Sequence, residues 1–470
     1  MSSGIETGSS LRDRTATAVA DPRLRISLAN ATDLFEERKA GAYAQFRDPD
    51  AVRQAARSAK SEVLENLPEI LDRLADRLEA AGARVHWAAT DEEARRHVLD
   101  IAAARGARNI VKSKSMLSEE IGLNPALEDA GLVVTETDLG EWIIQLAGET
   151  PSHIIVPAIH KDRRQIAEVL RRVADGDLSD IPEDLAAFAR RSLRRRFLES
   201  DLGISGVNFA VADTGSLVLV TNEGNGRLTT SVPPTHIALL GMERVVESWQ
   251  QLDLMLALLT RAATGQPITT YVSTITGPRR HGEADGPQEL HVVIVDNGRS
   301  DILGTEYAEM LACIRCGACL NACPVYRQTG GHAYGWVYPG PMGAVLTPLL
   351  LHSEGAAEVP NASSLCGACW EACPVGIPIQ DMLLALRRDA AADASRTERT
   401  AWAAWAAAWS RPSTYRASLR MASLGARMID PGRLPGPAQK WSIGRETPPV
   451  ARRSFRDLWA DETERREGGR

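Results

Sequence analysis

All seven cysteines of the chain stand in two runs, Cys313-Ile-Arg-Cys316-Gly-Ala-Cys319-Leu-Asn-Ala-Cys323-Pro324 and Cys366-Gly-Ala-Cys369-Trp-Glu-Ala-Cys373-Pro374. The first has the spacing C-x2-C-x2-C-x3-C-P, in which three closely spaced thiolates hold one iron-sulfur cubane and the fourth reaches across to a second cluster. Short loops with small residues, here Gly317, Ala318, Gly367 and Ala368, let the backbone close around a bulky cluster and aim amide N–H groups at its sulfides. The spacing therefore predicts a crosswise assignment. Cys313, Cys316 and Cys319 take one cluster with Cys373, while Cys323 joins Cys366 and Cys369 on the other. The second cluster is one thiolate short, and Ser363 stands three residues before Cys366, where the missing cysteine would be. Two 4Fe-4S clusters are expected, the second with a non-cysteine ligand such as Ser363 or in a three-iron form lacking that corner.

Two other readings compete. A pair of C-x2-C motifs is also zinc spacing, but zinc sites take four ligands per ion and do not call for the C-x3-C-P tail. A disulfide framework does not fit clustered cysteines in a long, otherwise cysteine-free chain.

At 470 residues the chain is long enough for two or three domains and a sizeable core. Its net charge of -7 gives no general attraction to nucleic acid or anionic lipid. No apolar run approaches the ~20 residues that span a bilayer, and the first residues show no signal-peptide pattern. A cytoplasmic protein with no nucleic-acid partner and no direct membrane insertion is expected.

Residues 1–24, rich in Ser, Thr and Gly, read as a mobile arm. Helical periodicity follows from Pro49 to Ala81, with Gly82 as a C-cap. Arg84–Trp87, Asn109–Val111, Leu132–Thr135 and His153–Val156 read as short buried strands, with helices over Asp91–Arg105 and Ser118–Ala130 between them. Such alternation predicts a mostly parallel sheet, and the closely spaced strands after the charged helix Pro182–Glu199 make it mixed. They are Val207–Ala212, Leu217–Val220, His236–Leu240, Tyr271–Ile275 and His291–Val295. The α/β domain is thus expected over residues 25–300, a helical two-cluster ferredoxin-like domain over 301–392, and a C-terminal region over 393–470. That last region carries Trp402, Trp405 and Trp409 at helical spacing, a pattern usual for a packing face, and ends in weakly ordered sequence.

Ligands of such sheets gather at strand ends, and three polar stretches lie there. Lys112-Ser-Lys-Ser115 could hold an anion where a helix begins, or be a solvated loop with Ser118 as N-cap. Glu136-Thr-Asp138 with Glu141 could bind polar groups, or be a turn. Asn222-Glu-Gly-Asn225 sets Glu223 in a tight turn whose glycine and asparagines need no further cause, although the glutamate does. Lys112, Lys114 and Glu223 are the candidate catalytic residues.

Three long stretches, Lys112–Asn124, Glu136–Lys161 and Gly206–Asn225, together with the two cysteine runs, resemble the lactate utilisation protein B family, an iron-sulfur subunit of a bacterial L-lactate oxidising system. The resemblance implies an α/β domain akin to ribose-phosphate isomerase and CoA-transferase folds, followed by a two-cluster segment. It also implies two partner lactate-utilisation subunits, one of them a cysteine-rich iron-sulfur protein, and L-lactate or pyruvate in the complex. An electron-transfer subunit is the leading expectation. The alternatives are an α/β domain that is itself a carboxylate catalyst, and clusters that are structural or redox-sensing.

Overall fold

The computed structural model describes residues 9–351, 354–392, 395–426 and 454–467. The chain divides into two compact units, Met1–Asp389 and Ala390–Arg470.

The first unit is built on a six-stranded sheet in the order β1 (Arg84–Ala88), β10 (Glu289–Val295), β7 (Thr235–Gly241), β4 (Leu202–Gly206), β2 (Asn109–Lys112) and β3 (Val133–Glu136). Every pair in it is parallel. The apolar runs that made these strands visible are explained by cover on both faces. Ala238, Leu240, Leu290, Val292 and Ile294 pack with Leu71, Leu74 and Leu78 of the helix Leu67–Ala80. The alternate residues Ile237, Leu239, Val293 and Val295 pack on the other face with Val98 and Ile101 of the helix Asp91–Ala104.

The antiparallel pairing expected within this sheet lies instead in a separate four-stranded one, ordered β8 (Val245–Val246), β5 (Phe209–Val211), β6 (Ser216–Thr221) and β9 (Tyr271–Ile275). There β6 runs antiparallel to both β5 and β9. Strand β4 escaped the sequence reading because Leu-Gly-Ile-Ser-Gly is weak strand composition. Gly203 is needed there, since a Cβ would stand 2.0 Å from the Thr229 carbonyl oxygen of the crossing helix Asn225–Ser231.

Other expectations are corrected. The predicted arm contains the helix Leu11–Ala20, capped by Ser10 and Asp13, and the start of a 22-residue helix, Pro22–Tyr43, capped by Asp21. Arg14 is buried and donates to the Ala333 carbonyl at 3.0 Å, which ties that segment down. The Pro49–Ala81 periodicity is two helices, Pro49–Glu65 and Leu67–Ala80, divided at Asn66, and Ser118–Ala130 is likewise Met116–Glu120 and Leu123–Asp129. His153–Val156 is a loop. The N–H groups of Ile155 and Val156 both donate to His153 Nδ1, at 3.0 and 3.1 Å, so they make no strand ladder.

The change of architecture near residue 300 is not a break between cores. One apolar cluster joins Ile154, Phe209 and Met255 to Leu320, Tyr334, Val345 and most of the cysteines.

In the second unit, the helix Arg396–Trp409 sets its indoles against one another, Trp402 edge-on to Trp405 at 5.8 Å and Trp405 tilted against Trp409 at 5.1 Å, and Trp409 meets Tyr415 of the helix Pro412–Ala426 edge-on at 5.2 Å. A further helix spans Phe455–Glu467. Residues 427–453 of the segment expected to be weakly ordered lie outside the described residues.

Candidate cluster sites and the adjoining cavity

The two cysteine runs fold as one motif used twice. Arg315 and Leu365 both adopt φ +56, and the glycines two positions on, Gly317 and Gly367, have φ +77 and +83. Each loop then enters a five-residue helix, Ala318–Ala322 or Ala368–Ala372, that ends on a cysteine of extended backbone, Cys323 or Cys373. Left-handed residues turn the chain sharply enough to point amides inward. The Arg315 N–H thus donates to Cys313 Sγ at 3.4 Å, Tyr326 N–H to Cys323 Sγ at 3.5 Å and Ile377 N–H to Cys373 Sγ at 3.5 Å. At Gly317 a Cβ would approach His153 Cε1 to 3.1 Å, so the first loop lies directly on the 153–156 segment.

The thiols fall into two groups by the fields they exert on one another. Burial raises Cys316 to about 12, with Cys373 and Cys313 adding to it, and Cys319 is raised well above its ordinary value by burial and then by Cys313, Cys316 and Cys373. Cys369 is likewise pushed up to about 12 by burial, then by Cys323 and Cys366. Cys313, Cys316, Cys319 and Cys373 are therefore brought together, and separately Cys323, Cys366 and Cys369. Thiols so far from ionising by themselves are stable as thiolates only beside positive charge, and the amides aimed at sulfur stabilise the same form. The donor sets fit iron-sulfur clusters. Cys366 is exposed and Cys313 intermediate while the other five are buried, so each group has one thiol toward solvent and that of the second group is the more open. Ser363 is partly buried and its Oγ accepts from the Leu365 N–H at 3.1 Å.

Beside the first loop is a cavity of about 400 Å³ at the carboxyl ends of β2, β4 and β7. Ser113–Ser115 forms one wall and Asn222, Glu223 and Asn225 another, and Arg315 and Tyr338 close it from the cluster side. Parallel sheets bind ligands at this end.

Two of the three candidate catalytic residues border this cavity. Lys114 does, its Nζ donating to the Ile155 carbonyl at 2.6 Å. Glu223 does as well, and burial and then the nearby Asp138 raise its pKa. Lys112 does not line it. Its side chain is 1% exposed and its ammonium contacts Glu136 at 2.7 Å, Glu119 at 2.8 Å and Ser118 Oγ at 2.7 Å. Lys112 and Glu136 thus form a buried lock between β2 and β3. Asp138 borders the cavity but also caps the helix Leu139–Ala147 through the Glu141 N–H at 3.1 Å, and Ser115, in place of the expected Ser118, caps Met116–Glu120.

Several residues here were not singled out from sequence. Arg299 donates to Glu120 through Nη1 at 2.8 Å and Nη2 at 2.7 Å and to Glu243 through Nε at 2.7 Å, all buried, and Tyr338 adds its hydroxyl to Glu120 at 2.5 Å. Arg244 Nη1 donates to the Cys313 carbonyl at 3.0 Å. His153 donates its Nε2–H to Asn321 Oδ1 at 3.1 Å and stays neutral, because burial and then Lys114 depress its pKa to about 3. Only Arg315 carried a usable signal, as a long charged residue inside a loop otherwise built from small ones.

Residues 71–295 match the LUD domain family, 309–377 the 4Fe-4S dicluster domain, and 384–464 the C-terminal family of lactate utilisation protein B. The chain is 45% identical over 451 residues to lactate utilization protein B of Shouchella clausii, covering 94% of this chain and 95% of that one. It is 43% identical to the protein of the same name from Bacillus subtilis, over 460 residues and 96% of each. A solved DUF162 family protein from Deinococcus radiodurans aligns at 13% identity and TM-score 0.28 over 49% of this chain and 98% of its own, too loosely to bear on the fold.

Proposed function

The chain belongs to the lactate utilization protein B family, and we propose that it is the electron-transfer subunit of a complex that oxidises L-lactate to pyruvate. Two 4Fe-4S clusters, one held by Cys313, Cys316, Cys319 and Cys373 and the other by Cys323, Cys366 and Cys369, would each accept and release one electron at a time. The observation that carries this reading is the sorting of the seven thiols into two groups of that composition. The chain's own part is to exclude water and tune the site. Apolar cover from Leu320, Val345, Val375 and Ile377 lowers solvent access, while amides from Arg315, Tyr326 and Ile377 aimed at sulfur favour the more negative charge state. The exposed Cys366 makes the second group the natural point of exchange with a partner.

The proposed partners are two other lactate-utilisation subunits, one a cysteine-rich iron-sulfur protein, in the cytoplasm. Among the described residues no helix is long and apolar enough to cross a membrane. The test is anaerobic purification with and without those subunits, followed by absorbance and electron paramagnetic resonance before and after adding L-lactate. Cluster reduction only with the partners present is expected. Turnover by the isolated chain stripped of clusters would support a second reading, favoured by the placement of Lys114 and Glu223 on one cavity, in which the α/β part is the catalyst. Full electron flow in cluster-ligand variants would point to structural clusters instead.

A further inference from the structure

The cavity beside the first cysteine loop is bordered by a cation with one donor that the chain leaves unpartnered. Arg315 has a side chain only 12% exposed. Its Nη2 donates to Glu243 Oε1 at 3.3 Å and its guanidinium lies 4.8 Å from the centre of the Tyr338 ring, yet Nη1 is buried with no hydrogen-bond partner. A buried donor on a charged group is costly to leave unmade, so an acceptor is missing from the cavity that Arg315 borders. Lys114, across the same cavity, engages the Ile155 carbonyl at 2.6 Å, and an ammonium carries three donors. The local charge balance points the same way. Glu243 accepts from both Arg299 at 2.7 Å and Arg315 at 3.3 Å, and over the whole wall Lys114, Arg244, Arg299 and Arg315 face Asp138, Glu223 and Glu243, one positive charge in excess. Asp138 has one oxygen occupied by the Glu141 N–H at 3.1 Å. The cavity therefore has a net positive wall and is placed at the end of a parallel sheet where ligands collect.

We propose that this cavity binds a small monocarboxylate, gripped by Arg315 and Lys114 against the loop that carries Cys313 and Cys316. Two cations from separate segments, one in the cysteine loop and one at the end of β2, converge on the anion, so its binding would draw the sheet and the first cluster site together. At about 400 Å³ the space exceeds what a three-carbon acid fills and leaves room for water beside it. The assignment goes beyond the electron-transfer reading and needs no partner. Electrons could enter from another subunit whether or not this cavity is occupied, so failure of one leaves the other standing.

The experiment is calorimetric titration of the full, cluster-loaded chain under anaerobic conditions with L-lactate, pyruvate and neutral lactamide. The two acids are expected to saturate at one per chain and lactamide to give no binding. Arg315→Met and Lys114→Met should each weaken the acids about ten- to hundred-fold, the range for losing a hydrogen bond to a charged group. Cluster absorbance should be unchanged in Lys114→Met, which keeps the test valid if the Arg315 variant disturbs its loop. Glu223→Gln, which removes a like charge, should bind at least as tightly as the parent. No saturable binding, equal affinity in parent and Lys114→Met, or lactamide binding as tightly as lactate would overturn the assignment.

Discussion

Ser363 Oγ occupies in the second cysteine loop the place that Cys313 Sγ occupies in the first: each accepts the N–H of the residue two positions on, Leu365 at 3.1 Å and Arg315 at 3.4 Å, across a φ of +56. The same N–H therefore closes the turn whether the acceptor is oxygen or sulfur. A hydroxyl is a harder and poorer ligand for iron-sulfur clusters than a thiolate, so the corner at position 363 should be the one that fails first. Air exposure is expected to give a three-iron signal in electron paramagnetic resonance from about one cluster per chain, by the ligand count of the second group. Ser363→Cys should suppress it, because the loop already holds an acceptor at that point. Simultaneous decay of both clusters, or no effect of the substitution, would remove Ser363 from the site.

Cys316→Ala should lose the first cluster and lactate-dependent electron flow while the six-stranded sheet stays folded. The cores on the two faces of that sheet contain no cysteine. Stability should nevertheless fall, because Cys316 sits in the apolar cluster shared with Phe209 and Met255. Far-ultraviolet circular dichroism should be retained and the melting temperature lowered. An unchanged melting temperature would mean that this core does not depend on the cluster.

What sequence could show was what repeats along it. The cysteine spacing, the parallel strands around Val292 and Leu239, and the helix Asp91–Ala104 all carry their signal locally. Local composition misled where a tertiary contact decided the outcome. Gly203 weakened the strand pattern of β4 because the Thr229 carbonyl needs the space, and Ile154-Ile155-Val156 looked like a strand although His153 takes two of its amides. Lys112 and Lys114 are indistinguishable in sequence. Residues two apart on a strand would share a face, but β2 ends at Lys112, which stays in the sheet in a buried ion pair while Lys114 stands past the strand end on the cavity wall.

Lys112→Met tests that distinction. Removing the ammonium leaves Glu136, 3% exposed, without its cation, and breaking a buried pair from one side costs about 3–5 kcal/mol. Urea denaturation should show a loss of that order, with cluster content and L-lactate affinity in the surviving folded protein unchanged. Unaltered stability with lost function would return Lys112 to the catalytic candidates.

The final prediction concerns the buried network that joins the sheet to the cluster side of the cavity. Burial alone would raise the Glu243 carboxyl, but the guanidinium groups of Arg299, Arg315 and Arg244 outweigh it and hold its pKa at about 2, against an ordinary 4.5. A depressed carboxylate contributes stability that is fully present above 4.5 and is lost as pH falls toward about 2. Glu243→Gln should therefore be less stable than the parent at pH 7, with the gap unchanged down to about pH 5 and closing below it. Acid also removes iron-sulfur clusters, but it does so from both proteins, so the difference between their urea midpoints isolates the carboxylate. Arg299→Met, which takes the guanidinium from buried Glu120 and leaves Glu243 to Arg315 and Arg244, should cost the ~3–5 kcal/mol of one broken buried pair at neutral pH. A gap between parent and Glu243→Gln that widens on acidification would show that Glu243 is not held ionised by these arginines, and would leave Arg299 neutralised by Glu120 alone.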